Sequence, residues 1–251
     1  MTRIKTDLHI HSHFSDGKDS PRDIVLAAME MGLTTIGFSD HSYAPQDLDC
    51  CIPEARIEAY RATVRQLARE FQGRITICCG IEQDLDTPFG TEGYDYAIGS
   101  VHHLYKDGVY AAVDHTPEIL KDARDRLFGG DIYALAENYY RRVALLPQKH
   151  RFRIVGHFDL VSKFNESEPL FDPCHPRYVA AWQAAADSLL KTHRLFEINT
   201  GAISRGWKTE PYPSREMIRY IRERGGTFLL SSDSHSKETL AFQFDQWEHL
   251  L

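Results

Sequence analysis

The sequence predicts an α/β fold in which parallel strands and helices alternate around a barrel. Three observations support this fold. Short apolar runs recur along the 251 residues, helical patterns separate them, and metal-ligating side chains follow most of the runs. Alternating strands and helices imply parallel strands joined by helical crossovers, and about seven such units favour a closed barrel over an open sheet. We therefore expect one domain that spans residues 1–251.

The predicted strands are short apolar runs, as is typical of strands buried on both faces. They span residues 5–11, 34–40, 74–82, 95–102, 153–157, 195–199 and 227–233, and residues 109–113 are expected to form one arm of a hairpin. Cys78 and Cys79 fall in the third run. We expect all five cysteines to be reduced, because none has a C-x-x-C spacing and the adjacent pairs rarely close a disulfide.

The helices between the strands are predicted from apolar residues at steps of three and four. Ser20 and Pro21 offer a cap and a first-turn proline, and Gly32 ends the helix that follows them. A second helical pattern starts at Ile57 and ends at Gly73. Further helices are expected at residues 131–146, 177–191 and 214–223.

The charge balance restricts the class of partner. The 29 basic and 36 acidic residues give a net charge of -7, whereas proteins that bind a long nucleic-acid backbone usually carry a basic face. A small anionic substrate needs only a local positive spot, which metal ions can supply. No apolar run approaches the roughly 18 residues of a membrane span, and the N-terminus lacks a signal-peptide pattern. We expect a cytoplasmic protein with no nucleic-acid or membrane partner, and the sequence leaves the oligomeric state open.

Histidines and carboxylates stand at the carboxyl ends of the predicted strands, where a β/α barrel builds its active site. His9 and His11 share one face of the first strand, so both imidazoles can bind one ion. Further metal-ligating side chains at the later strand ends are Asp40, His41, Glu82, His102, His157, Asp233 and His235. One H-x-H motif among thirteen histidines can arise by chance, but six strand ends with such residues indicate a multinuclear metal site.

Imidazoles and carboxylates without cysteine suit catalytic zinc, manganese or iron better than a structural zinc, which usually recruits thiolates. Adjacent ions about 3.5–4 Å apart can clamp the attacking and leaving oxygens of a phosphoryl group. The strand ends therefore predict hydrolysis of a phosphate ester.

With these motifs in place, the chain resembles the PHP family of metal-dependent phosphoesterases. The segments that carry the resemblance occur in the family's order: DLHIHSHFSDG, FSDH, GIE, GSVH, GHFD and SSDSH. The resemblance implies a distorted seven-stranded β/α barrel with three divalent metal ions. EINTGAISRG, EPYPSREMI and GHFDLVSKF also resemble the histidinol-phosphate phosphatase branch, which implies L-histidinol phosphate as the small phosphorylated substrate.

The resemblance also implies nine metal ligands. They are divided among the three ions as His9, His11, Glu82 and Asp233 for the first, Glu82 again with His102 and His157 for the second, and Asp16, His41 and His235 for the third. His13 is the alternative to Asp16, because members of the family differ in the residue that supplies this ligand.

The substrate is expected to meet two cations opposite the metals. Arg205 follows the strand at residues 195–199, and Lys163 lies six residues after His157, so both could reach the phosphoryl oxygens. Lys163 stands where an arginine is more typical of the branch, and lysine binds phosphate as a point charge. His103 is also predicted to contact substrate, together with Asp114 after the hairpin arm and its neighbour His115.

Glu82 and Asp233 are predicted to be catalytic through the ions that they hold. The departing alkoxide needs a proton, for which Asp159 and the imidazoles near the strand ends are the candidates. Three alternatives stay open: hydrolysis of another small phosphate ester (a nucleotide, a phosphodiester or phosphotyrosine), a non-catalytic scaffold, and a metal-dependent amidohydrolase on a related barrel.

Overall fold

Seven parallel strands form the centre of the molecule in a computed structural model, which describes residues 3–251. The described residues contain nine strands in all, which are β1 Thr6–Ile10, β2 Thr35–Phe38, β3 Thr76–Asp84, β4 Tyr96–Ser100, β5 His103–Lys106, β6 Val109–Ala112, β7 Ile154–Val155, β8 Leu195–Asn199 and β9 Thr227–Ser231. The seven parallel strands have the order β1-β2-β3-β4-β7-β8-β9, and β5 and β6 form a separate antiparallel hairpin. The predicted parallel α/β barrel is confirmed.

The first and last strands meet along a seam, which we call the β1–β9 seam. The His11 backbone N–H donates to the Ser234 carbonyl at 2.8 Å, and the Ser234 N–H donates to the His9 carbonyl at 3.1 Å. Asp7, buried in β1, accepts hydrogen bonds from the backbone N–H groups of Ser232 and Ala241 at 3.1 and 3.0 Å. These bonds bring the two ends of the sheet together and nearly close the barrel.

Helices cover the outside of the sheet. They are α1 Pro21–Glu30, α2 Ile57–Glu70, α3 Pro117–Phe128, α4 Ile132–Val143, α5 Leu146–Lys149, α6 Pro176–Leu189, α7 Gly201–Ser204, α8 Arg215–Glu223 and α9 Phe244–Trp247. Ser20 caps α1 as expected, because its side chain accepts a hydrogen bond from Asp23 N–H at 3.2 Å, and Gly32 follows with a φ of 77°. None of the described helices combines the length and apolarity that crossing a membrane requires.

The observed strands end earlier than the predicted runs, except that β8 ends at the predicted residue and β3 ends later. β9 ends at Ser231, two residues before Asp233, whereas β3 extends to Asp84 and contains Glu82. Most of the metal-ligating side chains therefore stand on the first residues beyond a strand, where the chain leaves the ladder. This position aims them into the carboxyl end of the barrel.

Candidate metal centre

The nine predicted metal ligands converge at the carboxyl end of the barrel. Three groups have ligand atoms that all lie within 4.8 Å of one another: His11, Asp16, His41 and His235; His9, His11 and Asp233; and His41, Glu82 and His102. His157, the ninth, joins them through Glu82. Residues from six loops and strands thus form one continuous cluster.

Glu82 lies at the middle of the cluster and is 1% exposed. Its Oε2 is 2.9 Å from His41 Nδ1 and 3.3 Å from His9 Nε2. Its Oε1 is 2.8 Å from His157 Nε2 and 3.3 Å from His102 Nε2. The two carboxylate oxygens therefore face two different sets of imidazoles, which is the arrangement expected of a carboxylate shared by two ions.

Asp16 belongs to the cluster and His13 does not. Asp16 Oδ2 lies 3.0 Å from His235 Nε2 and 3.7 Å from His41 Nε2. The His13 side chain is exposed and its ring stacks on Phe14, with the centroids 5.1 Å apart. The geometry therefore favours Asp16 over the alternative that the sequence left open.

Asp233 reaches the cluster from a strained backbone position. Its φ is 50°, in the left-handed region that non-glycine residues seldom adopt. Its Oδ1 lies 3.2 Å from His11 Nε2. Gly201 makes room for it, since a Cβ on Gly201 would stand 2.7 Å from Asp233 Oδ2. Strain of this kind persists where the surrounding structure fixes a functional side chain.

Several buried ligand atoms in the cluster have no hydrogen-bond partner among the described residues. They are His9 Nε2, both ring nitrogens of His11, Asp16 Oδ1, Glu82 Oε2 and His157 Nδ1. A buried polar atom without a partner costs about 1–3 kcal/mol, so native proteins seldom leave several together. Imidazole nitrogens and carboxylate oxygens are ligands for zinc, manganese and iron. The residues present therefore fit a group of divalent metal ions.

The charges in the cluster are strongly coupled. Burial opposes ionisation of Glu82, but His9, His41 and His102 outweigh it and hold the pKa of this carboxyl well below its usual range. Burial, followed by the neighbouring His235 and His41, lowers the pKa of His11 to about 3. The low pKa keeps His11 neutral, as an imidazole must be to bind a metal ion. Burial is outweighed by neighbouring carboxylates, which raise the pKa of His9, His41 and His102, so an ion would have to displace a proton from these rings.

Two carboxylates that sequence reasoning missed orient the histidines from behind. Glu197 Oε1 lies 2.6 Å from His9 Nδ1, and its Oε2 accepts a hydrogen bond from the His157 N–H at 2.9 Å. Asp84 Oδ2 lies 3.0 Å from His102 Nδ1. A carboxylate on one ring nitrogen fixes the ring so that the other nitrogen faces the metal. The sequence feature that could have identified Glu197 is its position at the centre of the predicted strand LFEIN, where an acidic residue lies among apolar neighbours.

A cavity of about 330 Å³ opens onto the cluster, and both predicted phosphate-binding cations line it. Arg205 Nη2 donates to Asp233 Oδ2 at 3.0 Å, and Lys163 Nζ donates to the Asp114 carbonyl at 2.6 Å. His103 and Asp114 also line the cavity, as does His115. The structure thus brings all the predicted substrate-contacting residues to one space beside the metal ligands.

Asp159 is placed differently. It is 1% exposed, and its Oδ2 accepts hydrogen bonds from Ser162 Oγ and the Ser214 N–H, both at 3.3 Å. Burial raises the pKa of its carboxyl group. It is not among the residues that line the cavity, so its role as a proton donor stays a prediction.

A parallel β/α barrel with clustered metal ligands and two cations on one cavity defines a metal-dependent hydrolase. The sequence profile of the PHP domain matches residues 7–201, and the chain belongs to this family. The predicted family is confirmed.

Similar proteins agree with the fold and the family. A protein of Deinococcus radiodurans named "Probable histidinol-phosphatase" is 29% identical over an alignment of 252 positions, which covers 95% of this chain and 89% of the relative. A candidate histidinol phosphatase from Listeria monocytogenes, known from a crystal structure, is 18% identical in sequence and superposes with a TM-score of 0.83. The match covers 97% of this chain and 100% of the Listeria chain. The crystal structure of the histidinol phosphate phosphatase of Lactococcus lactis contains zinc, L-histidinol and phosphate. That protein is 23% identical in sequence, with a TM-score of 0.65, and the match covers 98% of this chain and 92% of the Lactococcus chain.

Proposed function

We propose that this protein hydrolyses L-histidinol phosphate to L-histidinol and phosphate. The observation that carries the proposal is the set of unpartnered imidazole and carboxylate atoms at the base of a cavity that also holds Arg205 and Lys163. Metal ligands and cations around one small space suit the dianion of a phosphate monoester. The identity of the alcohol is supported by the Deinococcus relative's name and by the ligands of the Lactococcus structure.

The metal centre is proposed to hold three divalent ions. His9, His11 and Asp233 would bind one together with Glu82, which would bridge to a second. Three of these four residues, His9, His11 and Glu82, carry unpartnered atoms described above. The remaining ligands would be His102 and His157 for the second ion and Asp16, His41 and His235 for the third. When bound, such ions polarise a phosphoryl oxygen and lower the pKa of water. Zinc is supported by its presence in the Lactococcus protein, and manganese and iron share these ligand types.

The protein's own residues bind and orient the substrate. Arg205 has a forked guanidinium that can contact two phosphoryl oxygens, and Lys163 adds a point charge across the cavity. His103 and Asp114 form the wall that faces the rest of the substrate. Asp159 lies outside the cavity lining, and an imidazole bound to an ion has no proton to spare for the departing alkoxide. His103 and His115, which line the cavity, are therefore the better placed proton donors.

Phosphate release from a panel of esters tests the proposal. The metal-loaded protein is assayed on L-histidinol phosphate, nucleoside monophosphates, phosphotyrosine and a phosphodiester. We expect kcat/KM for L-histidinol phosphate to exceed the others by about a hundredfold, since polar groups in the wall reject alcohols that leave them unpaired. Glu82→Ala, purified in the same way, controls for a contaminating phosphatase. Equal or faster hydrolysis of any other ester would contradict the proposed substrate.

A further inference from the structure

A second group of metal-ligating side chains lies on the cavity wall, apart from the nine ligands of the centre. It consists of Asp47, Cys50 and His115, whose ligand atoms lie within 4.8 Å of one another. His115 Nε2 is 3.2 Å from Asp47 Oδ2 and 4.0 Å from Cys50 Sγ. His103 Nε2 is 3.5 Å from the same Asp47 oxygen. We call these four residues the wall cluster.

The wall cluster is assembled from three separate segments. Asp47 and Cys50 lie between β2 and α2, His103 is the first residue of β5, and His115 follows β6. The β5–β6 hairpin thus carries both histidines to the long loop after β2. All four residues line the cavity that opens onto the metal centre.

Three ligand atoms of the wall cluster fit a tetrahedral ion. Zinc bonds of about 2.0–2.3 Å to nitrogen, oxygen and sulfur place tetrahedral ligands roughly 3.3–3.8 Å apart. His115 Nε2 lies 3.2 Å from Asp47 Oδ2 and 4.0 Å from Cys50 Sγ. His103 is not in this group of three and reaches it through Asp47. One carboxylate, one thiol and one imidazole are ligands that zinc accepts, and they leave a fourth position for water.

His103 approaches the site through Asp47. Its side chain is buried, with the residue 4% exposed, and its Nε2 lies 3.5 Å from Asp47 Oδ2. Its Nδ1, which has no hydrogen-bond partner among the described residues, is the nitrogen that does not face Asp47. An imidazole beside a ligating carboxylate helps to orient it toward a metal ion.

We propose that Asp47, Cys50 and His115 form a site for a fourth divalent ion, preferentially Zn²⁺, that is separate from the catalytic centre. An ion held here would occupy part of the cavity wall. Excess zinc would then narrow the space for the substrate and inhibit hydrolysis. Binding of the ion is independent of which ester the protein hydrolyses.

Titration with Cd²⁺ tests the site in the metal-loaded protein. Cadmium bound to a thiolate gives an ultraviolet charge-transfer band, and the nine ligands of the catalytic centre include no cysteine, so the band reports a cysteine site. We expect a band that saturates at one Cd²⁺ per chain. Cys50→Ser should abolish it, and His115→Ala should weaken Cd²⁺ binding by about tenfold or more. The exposed Cys174 gives a matched control, since Cys174→Ser should keep the band.

The absence of a band in the wild-type protein at saturating Cd²⁺, or a full band in Cys50→Ser, would overturn the proposal. Catalytic metal content and circular dichroism of each variant show whether it has folded. If Cys50→Ser does not fold, alkylation of the wild-type thiol gives the same information: Zn²⁺ should slow modification of Cys50, and unchanged modification would refute the site. Inhibition by excess zinc, relative to each protein's own activity, should be lost in Cys50→Ser. Equal inhibition would refute the effect on the cavity.

Discussion

Glu197→Gln should weaken metal binding without disturbing the shape of the barrel. Glu197 is 1% exposed, with its two oxygens 2.6 Å from His9 Nδ1 and 2.9 Å from the His157 backbone nitrogen. Glutamine keeps the size of the side chain but removes the negative charge that strengthens the contact with His9. Loss of such an orienting contact reduces metal affinity by about 10–100-fold. That range corresponds to about 1.4–2.7 kcal/mol.

Chelator competition measures this change. Wild type and Glu197→Gln are loaded with zinc and titrated with a chelator of known affinity, and elemental analysis gives the zinc that remains. We expect the chelator midpoint of one ion to shift by about 10–100-fold while the other ions are retained more tightly. Asp7→Asn is the control, because it removes another buried carboxylate that contacts no imidazole. It should lower the free energy of unfolding by about 1–3 kcal/mol and leave the chelator midpoint unchanged. Wild-type zinc retention in Glu197→Gln would refute the reasoning.

The other predictions concern the centre and the cavity. Glu82→Ala should lose metal from two positions, because its two oxygens face separate sets of imidazoles; elemental analysis checks this against His13→Ala, which should retain all the ions. Arg205→Ala should lower kcat/KM by about ten- to a hundredfold, because a charge-assisted hydrogen bond to phosphate contributes roughly 1.5–3 kcal/mol. Arg205→Lys should recover only part of the lost kcat/KM. Wild-type kinetics in Arg205→Ala would exclude contact between Arg205 and the phosphoryl oxygens. Asp159→Asn should keep the basic limb of the pH–rate profile, because the Asp159 carboxylate faces Ser162 and Ser214. Loss of the basic limb in this variant would instead identify Asp159 as the general acid.

The fold and the positions of metal-ligating side chain types near the strand ends could be predicted because both depend on local sequence. Each strand is a short apolar run, and a candidate ligand lies within two residues of its end, as Glu82 and Asp233 do. Helix α3 was missed although Thr116 caps it and Gly129 ends it with a φ of 60°. Four of its residues are buried, against three in the predicted α2, so its caps and apolar residues were sufficient to predict it.

Contacts between distant segments could not be predicted in the same way. Glu197 was passed over because a carboxylate inside a strand gives no indication of its partner, and His9 is 188 positions away. The wall cluster depends on how the β5–β6 hairpin meets the loop that carries Asp47 and Cys50. Neither segment has a spacing that marks it as a ligand site. Their association follows only from the three-dimensional path of the chain.

The β1–β9 seam also determines when the metal centre can exist. His9 and His11 lie on one side of the seam, and Asp233 and His235 follow the strand on the other side. A folding intermediate in which β9 has not yet docked therefore has only half of these ligands in place. Ions that bind only the closed barrel stabilise it in proportion to the logarithm of their free concentration, by about 4.1 kcal/mol at a thousand times Kd. Metal supply would then act on the lifetime of the folded protein as well as on its activity, because a barrel that holds its ions seldom opens at this seam.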